Sequence, residues 1–143
     1  MKRFLLLLVF LIGITCQAQK EEVQKTVETF LEGFQAKDTI KMKTVCSDKL
    51  ILQSIKEYET GGVLTDKSKK EFYKSIGILP KKMNISQKIL SYSIQIDGSM
   101  AHVWAPYEFY MNGRLNYKGV NAFTLLKENG LWKIIYLVDT KRK

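Results

Sequence analysis

At 143 residues the chain has room for one domain, and 45% apolar composition supplies material for a core. Its 23 Lys and Arg outnumber 14 Asp and Glu, a formal charge of +9. The lysines are scattered or in short runs with no interleaved aromatics, which argues against nucleic acid as partner. Two cysteines and one histidine exclude a disulfide framework and a metal cluster, and no cofactor fingerprint is present.

Residues 1–18 read as an export signal. Lys2 and Arg3 precede an uncharged apolar run, 4–14, that is too short to span a bilayer comfortably. Thr15-Cys16-Gln17-Ala18 then offers the small residues that a signal peptidase takes. The expected mature domain is 19–143, periplasmic or secreted, with no membrane attachment once the signal is gone. Lipid attachment at Cys16 would call for Gly, Ala or Ser before it, where Thr15 stands. Cleavage after Ala18 leaves Cys46 as the only cysteine, and 21 basic against 14 acidic residues.

Helix signals come first along the mature chain. Val23, Val27, Phe30, Leu31 and Phe34 recur on one helical face, and Ala36-Lys37-Asp38 ends it. Asp38 is placed to cap a second helix carrying Ile40, Met42 and Val45. Residues 50–55 are apolar but fit either element type. The stretch from Gly61 to Gly77 reads as a turn, a cap near Thr65 or Asp66, and a third short helix through Phe72 and Ile76. Pro80 closes this helical half.

Beyond it the period changes from helix to strand. Runs at 85–96, 100–111, 114–127 and 131–139 are rich in Ile, Val, Tyr, Phe and Trp, separated by Asp97-Gly98, Asn112-Gly113 and Asn129-Gly130. The expected fold is α+β: helices packed on a four-stranded antiparallel sheet.

A two-residue turn at Asn112-Gly113 sets Met111 opposite Arg114. Unbroken alternation then pairs Glu108 with Tyr117, Trp104 with Asn121 and His102 with Phe123, all on one face. The next hairpin adds Tyr136 to that face, opposite Phe123. A greasy end grading into Trp104, Glu108, Tyr117 and Asn121 is what a ligand pocket wants, although a plain core with polar tips has the same pattern. Pro106 warns of a bulge that would shift the register. A lone His102 beside aromatics reads as structural rather than catalytic. The other face would carry Val103, Ala105, Val120 and Ala122, an apolar surface that a homodimer could bury.

The segments VETFLEGFQAKD, AHVWAPYEFYMNGRL, GVNAF and WKIIYLVDT, in that order and spacing, resemble the NTF2-like superfamily. More narrowly, the chain is similar to small exported SnoaL-like proteins, some of them called lumazine-binding. The resemblance covers the chain from about Glu21 onward. It implies a cone of helices on a strongly curved sheet, with a cavity between them. Such proteins often carry a His at the position of Tyr117 and acidic residues near Ser86 and Gln87. Here the acid–base pair that His would form with Glu108 is missing.

Three functions follow as expectations. The first is a non-catalytic protein binding a small hydrophobic or aromatic molecule through Trp104, Glu108, Tyr117, Asn121 and Tyr136. The second is a small isomerase- or dehydratase-type enzyme with Glu108 as general acid or base and Tyr117 or Tyr136 stabilising an oxyanion. The third is a dimeric interaction module without a ligand.

Overall fold

The computed structural model describes the backbone of residues 2–143 and the side chains from Gln17 onward. The apolar run 4–14 and Cys16, on which the export signal and the lipid question turn, lie outside the residues whose side chains are described. In chain order the elements are α1 (Lys2–Ala36), α2 (Thr39–Thr44), β1 (Cys46–Tyr58), β2 (Gly61–Lys67), α3 (Lys69–Gly77), β3 (Ile85–Ile89), β4 (Ser93–Asp97), β5 (Met100–Met111), β6 (Arg114–Glu128) and β7 (Leu131–Lys141).

The helical signals hold. Val23, Val27, Phe30 and Leu31 are buried against the sheet, with Phe34 half-buried beside them. Helix α1 ends where Lys37 takes a positive φ of 57°. The Asp38 carboxylate then accepts the Lys41 amide at 2.9 Å and caps α2. The Lys37 ammonium donates to the carbonyls of Pro80, Lys81 and Met83, pinning the loop after α3 to the end of α1.

The sheet is larger than four strands and is mixed. Seven strands run in the order β2-β1-β7-β6-β5-β3, with β4 also on β5. The ambiguous stretch 50–55 belongs to β1, which lies parallel to β7 with Leu52 beside Leu137. Residues 61–67 form β2 rather than a turn, so the α3 cap falls at Ser68, whose hydroxyl accepts the Glu71 amide.

The expected strand 85–96 is two strands. β3 pairs with β5 over Tyr107–Met111, and β4 pairs with it over Met100–Trp104. Pro106 explains the break: it has no N–H to offer a neighbour, and the partner chain parts beside it while Leu90 N–H donates to the Pro106 carbonyl at 2.9 Å.

Both long hairpins start as the turns dictate, Met111 opposite Arg114 and Glu128 opposite Leu131. Each then gains one residue. Asn116 bulges out of β6, so Phe109 faces Tyr117 and Glu108 faces Lys118. Ile135 bulges out of β7, so Phe123 faces Leu137 and Asn121 faces Asp139. A one-residue slip reverses which side chains point inward. Ala101, Val103, Ala105, Tyr107 and Phe109 are therefore the buried inner face of β5, joined there by Asn121, Phe123 and Leu125 of β6. The apolar outer face expected from Val103 and Ala105 is thus corrected: those two residues are core.

Candidate functional site

Helices α1 and α3 do not fill the concave side of the curved sheet. Between them and strands β1, β6 and β7 lies a cavity of about 470 Å³. Phe30, Leu31 and Phe34 of α1 and Phe72, Ile76 and Leu79 of α3 and its following loop form the apolar wall. Phe30 and Phe72 stack nearly parallel, with ring centres 6.4 Å apart.

The opposite end is polar. Asn121, buried at 3% exposure, donates its amide to Gln87 Oε1 at 2.9 Å. Tyr117 stacks on Phe109 with centroids 4.6 Å apart and meets the Tyr107 ring edge-on. Burial, and then the charge of Asp139, push the Tyr117 hydroxyl up to about 12.

Asp139 is the buried carboxylate of this end. Its Oδ1 stands 3.8 Å from Lys67 Nζ and its Oδ2 3.6 Å from Lys141 Nζ. The Tyr107 hydroxyl donates to the Thr140 carbonyl at 3.0 Å, with Asp139 Oδ2 at 3.3 Å. Burial first, and Asp139's charge second, hold the Tyr107 hydroxyl far above its ordinary range. Burial draws Lys67 below the usual lysine range, partly offset by Asp139.

The bulges divide the residues picked from the sequence. Tyr117 and Asn121 line the cavity, while Trp104, Glu108 and Tyr136 are not among its walls. Trp104 pairs with Ala122 rather than Asn121 and is 49% exposed on the outer face. Glu108, also on that face, holds Lys118 at 2.8 Å and accepts the Tyr110 hydroxyl at 2.8 Å. The Lys118 hydrogen bond and then that of Tyr110 lower its pKa, so Glu108 is an ionised, part-buried carboxylate on the outer face with its partners already in place. Tyr136 donates to Gln53 Oε1, and Gln53 donates in turn to Asp66 at 2.7 Å. His102 sits opposite Thr124, outside the cavity lining.

Sequence reasoning passed over Asp139, Lys67, Lys141 and Gln87. The signal for Asp139 was an acidic residue two positions beyond Leu137, past the apolar run Ile134–Val138 and hence on the same inner face as Leu137. Among the described residues no group of three or more His, Cys, Asp or Glu is placed to hold a metal ion.

This architecture is that of NTF2-like proteins. An NTF2-like protein of unknown function from Shewanella baltica OS155 superposes with a TM-score of 0.64 at 16% identity, over 88% of this chain and 95% of that one. A protein from Streptomyces avermitilis, named as a candidate dehydratase of the NTF2-like family, gives 0.68 at 13% identity over 89% and 98%. The association domain of C. elegans CaMKII gives 0.67 at 20% identity over 86% and 95%. No family model matches the chain, and no curated protein matches it. At these identities the likeness defines the fold: the chain is an α+β, NTF2-like cone.

Proposed function

We propose that the cone cavity binds a small hydrophobic or aromatic molecule and that the protein is a non-catalytic, exported binder of the SnoaL-like, lumazine-binding kind. The carrying observation is the cavity itself, about 470 Å³ with an aromatic wall at one end and a few polar groups at the other. That volume lies in the range of small-molecule sites, and the grading from apolar to polar would orient a guest. Tyr117 and Asn121 keep their place in this reading. Trp104, Glu108 and Tyr136 pass to the outer face, where they support the sheet.

A neutral fluorescent probe such as N-phenyl-1-naphthylamine tests it. The wild-type protein should bind the probe with a blue-shifted emission. Leu79→Trp, which grows from the half-buried rim into the cavity, should weaken binding at least about tenfold while the variant stays folded. Equal binding by both proteins would move the ligand elsewhere; no binding by either would remove the proposal.

A second reading, an isomerase- or dehydratase-type enzyme, draws support from one observation. Of the three carboxylates that line the cavity, Asp66, Glu71 and Asp139, Asp139 is the buried one, and it stands beside the Tyr107 hydroxyl and two lysines. Any proton transfer would therefore use Asp139 in place of Glu108. Asp139→Asn separates the readings: ligand binding kept with turnover lost favours the enzyme.

A further inference from the structure

Lys67 and Lys141 reach the polar end of the cavity with donors to spare. Lys67 ends β2 opposite Leu52, and Lys141 ends β7. Each side chain is 31% exposed. At 3.8 and 3.6 Å from Asp139, both ammoniums sit beyond the 2.7–3.2 Å of a normal hydrogen bond. One carboxylate thus stands loosely between two cations.

The other acids near this end do not close the balance. Asp66 and Glu71 also line the cavity, but both are exposed, the Asp66 carboxylate accepts the Gln53 amide, and the charges that act on Lys67 are those of Asp139 and Lys141. Glu71 stands at the exposed rim on the first turn of α3. A half-buried positive charge that shares its counter-ion is costly where water is partly excluded, and burial disfavours the charged form of Lys67, with Asp139 opposing that and Lys141 adding to it.

We infer that the cavity selects an organic carboxylate with an aromatic or aliphatic body, its carboxylate lying between Lys67 Nζ and Lys141 Nζ. This rests on the ligand-pocket reading above. With such a guest, two ammoniums meet two carboxylates, and the loose separations become charge-assisted hydrogen bonds. The apolar body then lies against Phe30, Phe34 and Phe72. A cationic guest would add a third positive charge, and a neutral one would leave the excess unmatched.

The test compares 1-naphthoate with 1-naphthamide, which share a body and differ in charge, by calorimetry at neutral pH and low salt. The full-length protein should bind the carboxylate about tenfold or more tightly than the amide, a preference worth about 1.4 kcal/mol. In Lys67→Gln/Lys141→Gln the ratio should fall towards one. Equal affinities in the wild type, or a preference that survives the double substitution, would overturn the inference while leaving the pocket standing. Binding of neither compound would overturn both. The wild-type ratio alone decides the matter if the double variant does not fold.

Discussion

Tyr117 shows how much a single ring can report on the cavity. Burial and the charge of Asp139 push its hydroxyl up to about 12 in the folded protein, against the ordinary tyrosine value of about 10. In the unfolded chain the same group ionises near pH 10, so above that pH the unfolded state has released a proton the folded state still holds. Stability from this residue is intact below about pH 10 and falls as pH rises towards 12, by on the order of 2–3 kcal/mol. Tyr117→Phe should remove that share of the alkaline loss. Urea midpoints at about pH 9 and about pH 11 would read it, and an unchanged difference between them would show the hydroxyl to be freely solvated.

At the scale of elements, what was legible in the sequence is what is local. The α1 face from Val23 to Phe34, the Asp38 cap and the Asn-Gly turns are decided within a few residues, and Asn112 and Gly113 take the positive φ values of 51° and 77° that such a turn requires. What was hidden depends on distant partners. Strand β1 lies in parallel on β7, about eighty residues later in the chain, and β2 pairs only with β1 at the sheet edge. The bulges at Asn116 and Ile135 carry no residue-type signal, yet each reverses the face of everything beyond it. So Tyr117 and Asn121 remain in the site while Glu108 and Trp104 leave it. Gly119 shows the close quarters that result. A Cβ there would stand 1.8 Å from the Thr140 carbonyl oxygen, which already accepts the Tyr107 hydroxyl. Gly119→Ala should cost at least the about 1–3 kcal/mol of ordinary overpacking, because the obstacle is backbone that cannot rotate away. Thermal and urea unfolding would measure it, and a neutral result would mean that β6 and β7 can part without loss.

At the scale of the whole molecule, the outer sheet face is open to a partner on different grounds from those the sequence offered. Val103 and Ala105 are core, but Trp104, Met100 and Leu115 remain about half exposed. We propose that a second copy of the chain covers this face, with the mature protein beginning at or near Gln19. Intact-mass analysis of exported protein should find that terminus without a lipid, and sedimentation at micromolar concentration should find a dimer. A diacylglycerol adduct on Cys16, or monomer alone, would count against the corresponding half. Among the described residues no helix is long and apolar enough to cross a membrane.

The loop pinned by Lys37 gives the cone a latch. One ammonium gathers the carbonyls of Pro80, Lys81 and Met83, and the same loop begins with Leu79, part of the cavity wall. A guest bound as proposed would leave no faster than the three bonds from this one ammonium let go together. Changes at this corner would then alter the residence time of such a guest and leave the cavity walls as they are.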